Sequence, residues 1–105
     1  SGQAALTELV RMDVGTNPEQ YVQLRSGTGG DGELLISVNN PNPIGLRNLA
    51  FRIIYMDSNG KPRTIERRMN GILAAGQSTT RNSGLGPFAA ADQFSVKLIG
   101  AAPAE

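Results

Sequence analysis

The chain has 105 residues, enough for one hydrophobic core but not for a core with a separate catalytic domain. Ten Lys and Arg residues against nine Asp and Glu residues give a formal net charge of +1, so no strong field attracts nucleic acid or an anionic membrane. The sequence contains neither cysteine nor histidine. Disulfides and thiol nucleophiles are therefore excluded, and the commonest general base and zinc ligand are missing.

Residues 6–14 allow two interpretations. Leu6, Leu9 and Val10 have helical spacing, which favours a helical turn. Val10, Met12 and Val14 alternate, which favours a first strand. We favour the strand.

A β-hairpin is predicted next. Val22 and Leu24 lie on one face of a short strand at residues 21–25, and residues 26–32 form a Gly- and Ser-rich turn. The second strand, residues 33–39, carries Leu34, Ile36 and Val38 on one face.

The loop Asn39-Asn40-Pro41-Asn42-Pro43 closes this strand. Pro41 and Pro43 fix φ and favour extended backbone before them, while the amides of Asn40 and Asn42 can fold back onto the backbone. The loop therefore predicts a rigid connection between two strands.

The best strand of the sequence follows the loop, at residues 48–56. Its inner face carries Leu49, Phe51, Ile53 and Tyr55, so we predict a central core strand. Asp57-Ser58-Asn59-Gly60 then has the composition of a tight turn. A charge-rich edge strand is predicted at 62–69, a turn at Asn70-Gly71, a strand at 78–81, a helical turn at 88–92, and a last strand at 93–100 with Phe94, Val96 and Leu98 inward.

This spacing of short strands predicts an all-β fold, a six- to seven-stranded antiparallel β-sandwich. Ser1-Gly2 is typical of a cloning remnant, so residues 1–5 are expected to be a flexible start. Residues 6–100 form the single domain, and residues 101–105 are expected to be a flexible tail or linker.

Two sets of residues resemble known families of immunoglobulin-like or fibronectin III-like sandwiches. The Asn-Pro-Asn loop at residues 39–43, followed by Leu46, Leu49 and Tyr55 and then by Ala75-Gly76-Gln77-Ser78-Thr79, resembles the water-stress family of late embryogenesis abundant type 2 proteins. Residues 51–60, with Phe51, Tyr55, Asp57 and Gly60, resemble the FxLYD-type domains of bacterial envelope proteins, although Met56 separates the Tyr from the Asp. Neither resemblance implies catalytic residues.

Several motifs have a simpler structural interpretation than a chemical one. Gly27, Gly29 and Gly32 match a dinucleotide-binding pattern, but a strand rather than a helix follows them, so we interpret them as a hairpin loop. The turn at residues 57–60 lacks the later ligands of a calcium loop. The hydroxyl groups of residues 78–80 have no histidine to activate them. We therefore expect no catalytic residue, no cofactor and no metal site.

The candidate interaction surface consists of Arg63, Arg67, Arg68 and Phe88. The arginines belong to the predicted edge strand, and Phe88 follows Pro87 in a loop, where an aromatic residue can serve as an exposed anchor.

The sequence and its resemblances favour a non-enzymatic accessory or protein-interaction module of a bacterial cell-envelope protein. Its expected location is the periplasm or cell envelope, with an export signal or anchor outside this fragment. Its partner would be another envelope protein or a neighbouring domain of the same chain, and neither nucleic acid nor the membrane is expected to be a partner. The alternative is a water-stress-type domain that shields proteins or membranes.

Overall fold

The computed structural model describes residues 2–104. One helix and six strands follow one another along this part of the chain: α1 (Gly2–Asp13), β1 (Gln23–Thr28), β2 (Leu34–Asn39), β3 (Leu46–Met56), β4 (Pro62–Leu73), β5 (Ser78–Asn82) and β6 (Phe94–Pro103). Short 3₁₀ turns lie at Pro18–Gln20 and Ala91–Gln93. The strands form two antiparallel three-stranded sheets, with the orders β1-β2-β5 and β4-β3-β6.

One hydrophobic cluster draws on both sheets. β2 contributes Leu34, Ile36 and Val38, which alternate with less buried neighbours as a half-buried strand requires. β3 and β6 contribute Leu46, Leu49, Phe51, Ile53, Phe94 and Leu98, with Tyr55 and Val96 packed partly buried against them. The prediction of a common core for these alternating residues is confirmed.

Three further predictions about the strands are confirmed. β1 and β2 pair as an antiparallel hairpin, with Gln23 opposite Asn39. β3 is the central strand of its sheet. β4, rich in arginine, is an edge strand of the same sheet.

The amides of the Asn-Pro loop fold back onto the backbone as expected, and both are buried. Asn42 N–H donates to Asn40 Oδ1 at 3.1 Å, and Asn42 Nδ2 donates to the Tyr21 carbonyl oxygen at 2.7 Å. The loop is therefore joined to the segment that precedes β1.

The strand predicted at residues 6–14 is wrong, because residues 6–13 belong to the helix α1 and Val14 directly follows it. Val10 and Val14, four residues apart, are both fully buried, whereas Met12 between them is exposed. Val10, Met12 and Val14 alternate as in a strand, but Val10 and Val14 also have the four-residue spacing of one helix face. Periodicity over so short a segment could not decide between strand and helix. The expected flexible start is helical from Gly2 onward, and Ser1 lies outside the described residues.

The turn predicted at Asn70-Gly71 is also wrong. β4 continues through this pair to Leu73, and the register with β3 shifts around Asn48. Asn70 and Gly71 together lie opposite Asn48, which is a β-bulge. The positive φ of Gly71, +86°, is absorbed within the strand instead of reversing the chain.

The predicted tail, residues 101–105, continues β6 as far as Pro103. Ala102 lies opposite Arg47 and Pro103 opposite Leu46, and Ala101 is buried. β3 is long enough to pair with these small residues, although their composition alone is that of a linker. Glu105 lies outside the described residues.

Candidate functional site

Backbone alternation on β4 divides the predicted arginine cluster between two faces. Arg67 lies opposite Phe51 in the register of β3 and β4, whereas Arg68 lies opposite Ala50. Successive side chains leave a strand on opposite sides, so Arg67 shares the inner face with Phe51, and Arg68 leaves from the outer face. Arg63 lies four residues before Arg67 on β4, an even number, and is therefore on the inner face as well. The three arginines therefore do not form one patch.

Arg63 belongs to the turn between β3 and β4. Its Nε donates to Asp57 Oδ2 at 2.9 Å, and the backbone N–H groups of Asn59 and Lys61 donate to Asp57 Oδ1, each at 2.9 Å. The Lys61 N–H is the largest cause of the lowered pKa of the Asp57 carboxyl, followed by Arg63. Arg63 therefore stabilises a turn, and its guanidinium is paired with the Asp57 carboxylate.

Phe88 is not the exposed anchor that the sequence predicted. The side chain is only 9% exposed, and its ring centroid lies 6.1 Å from that of Tyr55 and 5.2 Å from that of Phe94. Phe88 N–H donates to the Gly32 carbonyl oxygen at 2.7 Å, which holds the loop against the end of the β1–β2 hairpin. The aromatic ring thus closes one end of the core.

A groove opens between the edge strands of the two sheets, β4 and β5. Its floor consists of Ile36, Val38, Phe51 and Met69, all buried. The polar residues that line it come from β4, from β5 and from the residue after β5: Arg67, Arg68, Asn70, Arg81, Asn82 and Ser83. The volume of the groove is about 260 Å³. We call this feature the arginine groove.

The charge of the arginine groove is of one sign. Three arginines line it, and no Asp or Glu does. Arg67 Nε donates to the Ser83 carbonyl oxygen at 3.3 Å, which links β4 to the end of β5. Within residues 2–104, the guanidinium groups of Arg68 and Arg81 have neither an ion-pair partner nor a hydrogen-bond partner. Their positive charge is therefore not neutralised by an acidic side chain within the described residues.

Sequence reasoning placed Arg67 and Arg68 on the candidate surface but missed Arg81. Arg81 lies opposite Ile36 in the pairing of β5 with β2, so it points toward the same side as that buried residue. The alternation of Thr79 and Arg81 was visible in the sequence, but the strand that pairs with β5 was not. The pairing of β2 with β5 is what brings Arg81 to the groove.

The remaining motifs are structural. A Cβ atom on Gly32 would lie 3.0 Å from the Phe88 carbonyl oxygen, and the φ of Gly32 is +78°, so this glycine of the Gly-rich pattern serves chain packing. Ser37 Oγ and Thr80 Oγ1 share a hydrogen bond of 2.8 Å on the exposed face of their sheet. Ser78 Oγ donates to Asn39 Oδ1 at 2.7 Å on that same face.

The described residues contain no group of three or more His, Cys, Asp or Glu side chains arranged to hold a metal ion. None of the helices within residues 2–104 combines the length and apolar character needed to cross a membrane. No protein-family model, curated protein or solved structure matches the chain. The arginine groove is therefore interpreted from its own residues.

Proposed function

We propose that the chain is a non-catalytic β-sandwich of the immunoglobulin or fibronectin III type that acts by protein–protein contact. The strand orders support the architecture, because β1-β2-β5 and β4-β3-β6 correspond to strands A-B-E and C′-C-F of immunoglobulin-like sandwiches. Strand order alone carries no function, so the function must come from a site.

The arginine groove is the observation that carries the interaction function. It combines a buried apolar floor with a polar, arginine-rich rim, which is the anatomy of a small protein–protein interface. Arginine is also enriched among the residues that dominate binding energy. The groove lies between two sheet edges, so a partner segment that enters it can reach the backbone of either edge strand.

The proposed partner is another protein of a bacterial cell envelope or a neighbouring domain of the same chain. The envelope location rests on the resemblance of residues 51–60 to FxLYD-type domains. The periplasm or cell envelope is accordingly the proposed compartment.

A groove-blocking variant tests this function. Arg81 is exposed, lines the arginine groove and lies opposite the floor residue Ile36, so Arg81→Trp should fill the groove and abolish crosslinking to a partner in envelope extract. Arg52→Trp makes the same replacement at an exposed position of β3 that does not line the groove and should leave crosslinking intact. Equal crosslinking by both variants would show that the groove is not the contact surface.

The water-stress alternative predicts a different behaviour of the same variant in a protection assay. A protective domain works through diffuse contacts, so Arg81→Trp would shield an unrelated enzyme against freezing or drying as well as the unsubstituted chain does. If this protection is observed and no partner crosslinks, the water-stress reading replaces the interaction reading. Phe88→Ala does not separate the two functions, because Phe88 is part of the core.

A further inference from the structure

We infer that the arginine groove binds an acidic, extended peptide segment, which pairs with β5 and places one carboxylate between Arg67 and Arg81. The segment belongs to the partner in the proposed interaction function, on which this inference rests. What it adds is the chemistry and the local sequence of the bound segment.

The charge of the groove points to a carboxylate. Arg67 comes from β4 and Arg81 from β5, so two cations from different sheets line one groove without any acidic side chain between them. The planar guanidinium matches a carboxylate in two-bond geometry, which makes Asp or Glu the natural partner.

The edge of β5 is the better of the two edges for strand pairing. β4 begins with Pro62 and carries Arg63, Glu66, Arg67 and Arg68, a composition that protects an edge. β5 has the sequence Ser-Thr-Thr-Arg-Asn, with a single charge. Within the described residues, the only backbone partner of β5 along its length is β2, so its other side is free to pair.

The register of β5 predicts the sequence pattern of the segment. Arg81 lies opposite Ile36 and Thr79 opposite Val38, so both residues are on the face that continues the groove floor. In a strand added beside β5, the residue next to Arg81 should be Asp or Glu, and the residue next to Thr79 should be apolar. The predicted pattern is an acidic and an apolar residue separated by one position.

The dimensions of the site favour a short peptide strand over a folded domain. β5 has five residues, which span about 17 Å in a strand. The groove volume of about 260 Å³ accommodates a few side chains. Backbone pairing would supply affinity along β5, and the carboxylate would supply selectivity.

A titration with synthetic peptides tests the inference. The probes are short Thr-rich peptides with a central Val-Thr-Glu or Glu-Thr-Val, because the segment can run in either direction, and matched peptides with Gln in place of Glu. We expect at least one Glu peptide to shift the backbone NMR signals of β5 and of Ile36 and Val38. The matched Gln peptide should bind at least about tenfold more weakly, which is about 1.4 kcal/mol.

Variants of the groove provide the second half of the test. Arg67→Gln and Arg81→Gln should each weaken binding of the Glu peptide by about tenfold or more, and added salt should weaken binding to the unsubstituted chain. Arg52→Gln is the matched control, because Arg52 does not line the groove and lies opposite Glu66. It removes the same charge and should bind the Glu peptide normally.

Four results would overturn the inference. They are no binding of either Glu peptide at millimolar concentration, equal binding of Glu and Gln peptides, shifts that map away from β5, and shifts of the same size with acetate alone. The first result is expected if Arg67 and Arg81 serve only to keep other strands away from the edges. If Arg81→Trp still abolishes partner crosslinking in that case, the interaction function stands and only the acidic strand is wrong.

Discussion

Asn40 joins three parts of the chain through one side chain. The residue has 0% exposure, and its Nδ2 donates to the carbonyl oxygens of Ile44, Leu73 and Ala74 at 2.9, 3.0 and 3.2 Å. Its Oδ1 accepts from the backbone N–H and the Nδ2 of Asn42. Within the described residues, no buried side-chain N or O atom lacks a partner. The amide therefore links the β2–β3 loop to the end of β4.

Replacement of this amide should be costly. Asn40→Ala removes the acceptor of the buried Asn42 backbone N–H and the donor of the buried hydrogen bond to the Leu73 carbonyl oxygen, at about 1–3 kcal/mol for each group left unsatisfied. We expect the free energy of unfolding in urea to fall by about 3 kcal/mol or more.

Asn39→Ala is the matched control. Asn39 also makes two side-chain hydrogen bonds, to Gln23 and Ser78, but they lie on the exposed face of the sheet, where water replaces them. Its loss should stay near 1 kcal/mol. Equal losses for both variants would mean that the Asn40 network contributes no more than surface hydrogen bonds.

Asp57 should make stability depend on pH in the acid range. Its folded-state pKa is lowered from 3.8, chiefly by the Lys61 N–H and then by Arg63. A lowered pKa means that the unfolded state binds the proton more readily, so the stabilisation is present above 3.8 and is lost as the pH falls through the folded-state pKa.

The comparison of Asp57→Asn with the unsubstituted chain tests this dependence. The stability difference between them, measured by urea unfolding, should be constant near neutral pH and should shrink in the acid range below 3.8. A difference that stays constant throughout the acid range would show that the charge of Asp57 contributes nothing.

Among the elements, α1 is attached to the rest of the described chain by few contacts. Val10 is its buried residue, whereas Leu6, Leu9 and Met12 are 41%, 51% and 80% exposed. A helix of twelve residues is marginal without tertiary contacts. At its last residue, Asp13 accepts hydrogen bonds from the Tyr21 hydroxyl at 2.7 Å and from Asn17 Nδ2 at 3.0 Å.

Tyr21→Phe should therefore loosen α1 selectively. The variant loses the hydroxyl that donates to Asp13 but keeps the ring, so we expect faster hydrogen exchange of the α1 amides and unchanged exchange in β3. Tyr55→Phe is the control, since the Tyr55 hydroxyl makes no hydrogen bond within residues 2–104. Unchanged exchange of α1 in Tyr21→Phe would mean that Val10 and Val14 alone hold the helix.

At the scale of the whole molecule, each sheet contains strands that are distant in the sequence. β2 pairs with β5, and β3 pairs with β6. Neither sheet can form completely until the later strands have joined it, and the two sheets share one hydrophobic cluster. We therefore expect the two sheets to unfold as one cooperative unit.

Phe51→Ala tests this cooperativity. Phe51 is buried on the central strand β3, so its truncation should lower the free energy of unfolding by about 3–5 kcal/mol. Hydrogen exchange should show the same loss of protection in β2 and in β3. Ile54→Ala, on the exposed face of the same strand, should have a much smaller effect. A loss confined to the β4-β3-β6 sheet would show that the sheets are separate folding units.

Features that depend only on neighbouring residues were predictable from the amino-acid sequence. Alternation identified β2 and β3 and their buried faces, and turn chemistry identified the reversal at residues 57–60. The charge density of β4 identified it as an edge strand. Each of these signals is local, because side-chain period, turn conformation and edge protection are properties of a short segment.

Which distant segments contact each other is visible only in the folded protein. Antiparallel pairing of β5 with β2 brings Arg81 to the same groove as Arg67. The segment around Phe88 contacts Gly32, and the Phe88 ring is buried, although the sequence around it predicts an exposed loop. Residues 6–14 carry both a helical and an alternating pattern, of which the strand is favoured, and the fold buries Val10 and Val14 on a helix and the turn that follows it. Such choices depend on burial and pairing between residues that are far apart in the sequence, and a local pattern does not contain that information.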